Sequence, residues 1–401
     1  MAATWDRRAV LVGLGGAALT GCTTTAPAAG LVSAARPAFL RPPLAPLLTD
    51  PGRISRITVC TRPFRAQGPR IEAEAFSGKR LVHNYGHGGA GWSLSWGSAL
   101  LARDLALQGG VTDVAVIGCG ALGLTAAIEL LRAGARTTIY AAERSPFTRS
   151  ARATGIWSPE SRIAATDAMP ADFPARWEAM ARRSYAVHNS LVGLDGDPVR
   201  FIEQYNLRAP EGRRARVGPR PSPGRVAFEH FEGRLDDLGP DSRALAPDEH
   251  PFPVESARLF PQMTFNVAEY ARQMTEVFLL EGGRFVTRAF HHPSDLAALD
   301  EPVIVNCTGY GARALFGDDT LVPVRGQLGW LAPQPEVTYG LYYNGVTMVP
   351  REDGMVIQAV GPGEMVGYGV EDETPNRAET EEALAMLATL YAPQARPGPT
   401  S

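Results

Sequence analysis

Val114-Ala115-Val116-Ile117-Gly118-Cys119-Gly120-Ala121-Leu122-Gly123 is the stretch that decides how this chain folds. Its four opening residues are apolar and mostly β-branched, as a strand buried on both faces of a parallel sheet requires. Gly118, Gly120 and Gly123 permit a tight turn, and Leu124 to Arg132 reads as a helix, with Ala126, Ala127, Leu130 and Leu131 at packing spacings. Gly134 ends that helix. A second strand, Arg136 to Ala141, follows at once and leads to Glu143. This order offers unpaired helix N–H groups to a pyrophosphate, and the acidic side chain can accept from a ribose hydroxyl. Gly118, Gly120, Ala121, Leu122, Gly123 and Glu143 are therefore expected to hold a dinucleotide. The fingerprint alone leaves NAD and FAD both open.

Outward from this unit the same grammar continues. Pro302-Val303-Ile304-Val305-Asn306-Cys307-Thr308-Gly309 reads as a returning buried strand that ends in a small-residue turn. The helix before it is expected to start at Asn266 with Glu269 completing a capping box, and to close at Gly282. Arg213, Arg214, Arg216 and Arg220, mixed with Gly and Pro, read as an exposed loop. A net charge of −3 gives no reason to expect nucleic acid as a partner. Metal binding is not expected: there is no Cys-x-x-Cys, and His83 and His87 lie in a glycine-rich run that cannot hold both rings on one helix face. Cys60, Cys119 and Cys307 make no disulfide framework, and the last two read as small buried thiols.

The N-terminus reads as a targeting segment. Arg7-Arg8 before the apolar run Ala9–Leu19 resembles a twin-arginine export signal, and the run is too short to span a bilayer. Leu19-Thr20-Gly21-Cys22 resembles a lipoprotein cleavage box, with Cys22 as the lipid carrier; a plain cleaved signal is the alternative. Residues 1–22 are thus expected to be an export signal and 23–52, rich in Pro, Ala and Thr, a tether. A periplasmic or cell-envelope location follows, with membrane association only through a lipid on Cys22.

A second run, His83-Asn84-Tyr85-Gly86-His87-Gly88-Gly89-Ala90-Gly91-Trp92-Ser93, precedes the fingerprint. Taken with Tyr140–Pro159, Val305–Gly309 and Val324-Arg325-Gly326-Gln327, it resembles the D-amino-acid oxidase family of FAD enzymes. In that family the glycine-rich run and the Arg-Pro strand stand last. Here they stand first, so the resemblance implies a circular permutation. The segment Glu381–Leu390 would then lead into Arg56–Arg62, and the helix Ser98–Leu107 runs through Gln108-Gly109-Gly110 into the first strand. Permutation is tolerated where the joined ends lie close on the surface.

The resemblance implies an α/β fold, with a Rossmann-like parallel sheet for FAD and a second, mixed or antiparallel sheet for substrate. Residues 53–110 would be the permuted segment, 111–165 the FAD unit, 166–300 largely substrate domain, 301–320 the returning strand, and 321–401 a substrate-domain meander with the final helix. By the same resemblance Gly88, Gly89, Ala90 and Gly91 present free N–H groups to the flavin ring before a helix that begins near Trp96. Ser93 bonds a flavin carbonyl, Thr154, Gly155, Ile156 and Trp157 pack beside the ring, and Thr308 and Gly309 complete the pocket. Arg62 falls on the Arg-Pro position and would grip a substrate carboxylate through a guanidinium fork. Gly89 would offer its carbonyl to the amine, and Tyr343 would act as a lid. Thr347 stands where the family has a second carboxylate-binding tyrosine, and Ala142 where an aspartate often stands.

The implied activity is oxidation of a D-amino acid, or a related carboxylate-bearing amine, by hydride transfer to flavin. The product is an imino acid that hydrolyses to a 2-oxo acid and ammonia, while oxygen becomes peroxide. The alternatives are a flavin dehydrogenase that passes electrons to a quinone or protein, and a non-catalytic flavin-binding envelope protein.

Overall fold

The computed structural model describes residues 44–391 apart from 213–216, 218–221, 240 and 362. The export signal, residues 23–43 of the tether and the arginines at 213, 214, 216 and 220 lie outside the described residues. Strand β1 (Ile54–Arg65) is followed by the hairpin β2 (Arg70–Phe76) and β3 (Lys79–Tyr85), then helix α1 (Gly91–Ala106). The unit β4 (Asp113–Ile117), α2 (Ala121–Arg132) and β5 (Arg136–Ala141) comes next. After α3 (Phe173–Ser190) stand β6 (Val199–Arg208), β7 (Arg243–Leu245) and β8 (Ser256–Phe265). Helix α4 (Val267–Leu280), β9 (Arg284–Thr287), α5 (Pro293–Ala297), β10 (Val303–Asn306) and α6 (Gly311–Phe316) follow. Then come β11 (Leu321–Leu331), β12 (Tyr339–Tyr343), β13 (Val346–Arg351), β14 (Gly354–Ala359) and α7 (Arg377–Ala388).

Two sheets result. The smaller runs β2-β3-β10-β4-β5-β9 and is parallel except for the β2–β3 hairpin. The larger runs β1-β11-β14-β13-β12-β6-β8-β7 and is antiparallel except where β12 meets β6. The α/β architecture is the one expected. Val114, Ala115 and Val116 are fully buried at the centre of the smaller sheet, which is why no alternation appears in their sequence. Helices α1, α2 and α4 cover one face, with Ala99, Ala102, Ala126, Ala127 and Met274 in a single core.

Several local expectations are corrected. Helix α1 starts at Gly91 rather than near Trp96: its first turn is buried all round, so tertiary packing outweighs the poor helix propensity of glycine. The capping box at Asn266 does not form. Glu269 is held by Arg272 at 2.7 Å and by Gln273 at 2.8 Å, while the Asn266 amide donates to the carbonyl of Gly196 at 3.2 Å. Residues 44–52, assigned by composition to the tether, dock instead. Leu47 is buried in the core under the larger sheet, and the Tyr339 hydroxyl donates to the carbonyl of Ala45 at 2.7 Å.

Helices α1, α3 and α4 are tied by a complete polar chain. Trp96 Nε1 donates to the Tyr270 hydroxyl at 2.7 Å, that hydroxyl donates to His188 Nδ1 at 2.9 Å, and Nε2 donates to the carbonyl of Trp92 at 3.2 Å. Burial holds the His188 imidazole down at about 3, and it is neutral in the folded protein. The unfolded chain takes up its proton near the ordinary value of about 6.5, so this stabilisation is full above that pH and is lost as the pH falls toward 3. Denaturant unfolding at pH 7.5 and pH 5 should show wild type losing about 2 kcal/mol more than His188→Gln over that interval. Equal losses would remove His188 as the acid-sensitive group.

Candidate flavin and substrate site

The fingerprint turn and the glycine-rich run line one cavity of about 660 Å³. Its walls include Gly118, Gly120, Ala121 and Leu122 from the turn, Glu143 after β5, and Gly88, Gly89 and Gly91 from the loop before α1. Thr154, Gly155, Ile156, Thr308, Gly309 and Arg62 complete them. Two helix N-termini, of α1 and α2, therefore open onto the same space, and neither is capped by the side chain of its own N-cap residue. Ser150 bridges them: its Oγ accepts from Ala121 N at 3.1 Å, and its carbonyl accepts from Trp92 Nε1 at 2.8 Å.

The loop's donors are not arranged as expected. Gly88 N donates to the carbonyl of Pro63, Gly89 N to that of Ser161 and Ala90 N to that of His87, at 2.8–2.9 Å. The N–H groups left without a partner inside the helix are those of its first turn, Gly91, Trp92 and Ser93. Ala90 is fully buried and off the cavity wall. Ser93 is buried too, its Oγ accepting from Ser158 N at 2.8 Å, and it does not line the cavity. Gly123 and Trp157 are also behind the wall. A Cβ at Gly123 would stand 2.0 Å from the carbonyl of Gly118, so that glycine serves the packing of α2 on the turn. Trp157 packs edge-on against Tyr185.

Tyr343 is corrected outright. It is buried in the core under the larger sheet with Tyr205, Tyr339 and Met348. Thr347 lines the cavity, and its cross-strand partner is Tyr342, which is 40% exposed. Side chains alternate along a strand, so Tyr342 shares the cavity face and Tyr343 occupies the opposite one. A single-residue offset separates the two.

Arg62 lines the cavity. It pairs across β1–β11 with Val324, and its guanidinium lies against Gly326, where a Cβ would meet it at 2.4 Å. Arg162, not singled out from sequence, also faces the cavity. Arg162, at φ +49°, donates from Nε to the carbonyl of Glu364 at 2.8 Å. Burial and the like charge of Arg62 pull its guanidinium down to about 10. His87 lines the wall as well. The Ser98 hydroxyl donates to Asn84 Oδ1 at 2.5 Å, so His87 Nε2 donates to Ser98 at 2.8 Å and Nδ1 is left as a buried acceptor with no partner. Burial holds this ring near 3 and uncharged. His83 is structural, linking Asn306 of β10 to Glu74 of β2. Cys60, Cys119 and Cys307 are free, and burial pushes the last two thiols up to about 12, so neither offers a thiolate. No metal-binding cluster occurs among the described residues.

The family model for FAD-dependent oxidoreductases (DAO) matches residues 113–400. The chain belongs to this family. A D-amino-acid oxidase from Streptomyces coelicolor is 33% identical over 216 residues, covering 54% of this chain and 58% of that protein. A D-amino-acid oxidase from Dictyostelium discoideum is 28% identical over 284 residues, covering 69% of this chain and 72% of that one. Against the first relative the chain thus spans 58% of the length. Among solved structures, an L-proline dehydrogenase from P. horikoshii is similar with a TM-score of 0.44 at 14% identity, over 70% of this chain and 77% of that one.

The cofactor of this FAD-dependent oxidoreductase is FAD, and the residues present fit it. Gly91 and Gly309 both line the cavity, and neither has any heavy atom within 4 Å of where a Cβ would stand, so bare backbone faces the ligand space. The first turn of α2 would hold the pyrophosphate of FAD, and that of α1 would stabilise negative charge on the reduced flavin. Glu143 stands on the cavity wall, where it would accept from a ribose hydroxyl.

Proposed function

We propose that this oxidoreductase oxidises an amine bearing a carboxylate, a D-amino acid in the first instance, to an imine that hydrolyses to a 2-oxo acid and ammonia. The observation that carries the reading is Arg62: it lines the cavity shared by the two helix N-termini, and no carboxylate among the described residues pairs with it. A guanidinium fork there holds a carboxylate in two charge-assisted hydrogen bonds, which fixes where the neighbouring amine-bearing carbon stands. The carbonyl of Gly89 is the proposed acceptor for the amine. His87 Nδ1, uncharged, is a second acceptor in the same wall. When bound, FAD supplies the two-electron acceptor for the carbon–hydrogen bond that breaks.

An anaerobic screen tests this reading. D-amino acids added to the purified yellow protein are expected to bleach the flavin; bleaching by no amino acid would favour a non-catalytic binding protein. Peroxide release on admitting air supports oxygen as the acceptor. Dye reduction without peroxide would favour a quinone or protein acceptor instead. Export by the twin-arginine route and a lipid on Cys22 are proposed alongside, and fractionation of the source cells into envelope and cytosol checks them.

The segment order is proposed to be a circular permutation. The family match begins at Asp113, the first residue of β4, yet the preceding residues supply β1 to one sheet, β2 and β3 to the other, and α1 to the core against it. The required juxtaposition of ends is present: the Tyr391 hydroxyl stands 2.9 Å from Tyr339, which bonds Ala45, and Arg377 donates to the carbonyl of Pro51 at 3.0 Å. Gly109 and Gly110, exposed and at φ +79° and +76°, support a joint at this point. A gene encoding residues 111–391, a short linker and residues 44–108 should give a soluble protein that retains FAD. Insoluble product that takes up no flavin would count against the permutation.

A further inference from the structure

A second cavity of about 450 Å³ adjoins the first, and the two share Arg62, Arg162, Gly326, Gln358 and Val360 in their walls. Most arginines around them are already committed. Arg325 pairs with Glu379 at 3.3 Å and donates to the carbonyls of Asp372 and Thr374. Arg377 holds Glu381, while Arg149 and Arg152 share Glu373. Arg62 and Arg162, where the cavities meet, have no carboxylate partner among the described residues. Arg162 uses only Nε, on the carbonyl of Glu364, which leaves both Nη groups without a partner among the described residues.

The position of Arg162 is also conformationally costly. A non-glycine residue at φ +49° persists only where its surroundings fix it, and here its carbonyl occupies the space that a Cβ on Gly88 would need. The two half-buried guanidiniums repel one another, the Glu364 carboxylate offsets part of this for Arg162, and a ligand anion between them relieves the rest. An amino acid whose amine is neutral, as oxidation requires, brings one negative charge. That balances Arg62 and leaves Arg162 unmatched. A second carboxylate on the substrate side chain balances both, and the second cavity provides room for it.

Resting on the amino-acid oxidase reading above, we infer that Arg162 is a second anion-binding residue of the substrate site and that the substrate is an amine carrying two carboxylates. Arg62 holds the carboxylate next to the amine; Arg162 holds the one on the side chain. The rival arrangement places both arginines on a single carboxylate, with Arg162 compensating for Thr347 in place of a tyrosine.

The test uses purified holoenzyme and reads binding without turnover. Glutarate and pentanoate, equal in length, are titrated while the flavin absorption shift is followed. In parallel, the second-order rate of anaerobic bleaching is compared for D-glutamate and its neutral isostere D-glutamine. Glutarate should bind roughly 10- to 100-fold tighter than pentanoate, the effect of about one charge-assisted hydrogen bond, and D-glutamate should be favoured to a similar degree. Arg162→Gln should bring both ratios toward one, while Arg162→Lys, which keeps the charge without the fork, should retain part of each. Ratios near one in wild type overturn the inference, as do ratios that survive Arg162→Gln. Equal weakening of glutarate and pentanoate in that variant also overturns it, because it means that both arginines grip one group. If no amino acid bleaches the flavin but glutarate is still selected through Arg162, the second anion site stands and the amino-acid reading falls.

Discussion

Gly88→Ala should give a colourless and destabilised protein. Gly88 adopts φ +52°, and a methyl group there would stand 1.9 Å from the carbonyl oxygen of Arg162 and 2.8 Å from its carbon. Both groups are backbone, so no side chain can swing aside. Either the loop before α1 or the Ser161–Arg162 segment must move; the hydrogen bond from Gly89 to the carbonyl of Ser161 ties the two together, and that from Gly88 to the carbonyl of Pro63 ties the loop to β1. Separation displaces the first turn of α1 from the flavin space and withdraws Arg162 at the same time. The combined strain and overpacking are expected to cost about 3 kcal/mol or more. The flavin-to-protein absorbance ratio after purification, with a thermal melt, reads both effects. Gly239→Ala is the control: its φ is −148° and nothing lies within 4 Å, so a change of under about 0.5 kcal/mol is expected. If Gly88→Ala retained stoichiometric FAD and the wild-type melting temperature, the close approach of these two loops would not matter to the site.

The legibility of this chain follows from how local each feature is. The β4–α2–β5 unit could be read because buried strand, glycine turn and amphipathic helix are adjacent in sequence, and β5 spans the very residues expected. Helix α2 begins at Ala121 rather than Leu124, since part of the glycine motif is itself helical. Helix α1 lost its start because Trp92, Ser93, Leu94 and Ser95 are all buried, so no polar face marks the first turn. Tyr343 was placed on the wrong face because alternation makes neighbouring tyrosines point oppositely, and only the register with Thr347 decides between them. Arg162 carried no signal beyond a lone arginine before the buried run Ile163-Ala164-Ala165. Its relevance arises only from tertiary placement opposite Gly88 and beside Arg62. The cavity walls are thus legible where motifs make them and illegible where folding brings single side chains together.

Arg62→Ala should raise the Michaelis constant at least about 30-fold while FAD stays bound. Truncating one member of a desolvated charge pair typically costs 2–5 kcal/mol, and at about 1.4 kcal/mol per factor of ten that gives the lower bound. The flavin cradle does not depend on this side chain: the fingerprint turn and the first turns of α1 and α2 are held by bonds that do not involve it. The carboxylate stays anionic throughout the reaction, so its grip is common to ground and transition states, and the larger effect falls on the Michaelis constant rather than on turnover. Arg62→Lys separates charge from geometry. A lysine keeps the positive charge but offers no planar fork, and it should fall between wild type and the alanine variant. Gly326 explains why the native arrangement is exacting: the guanidinium lies flat on β11 only because that position has no side chain. An alanine variant with an unchanged Michaelis constant would dismiss Arg62 from the substrate site. Loss of flavin from the same variant would instead recast it as a residue of the cofactor cradle.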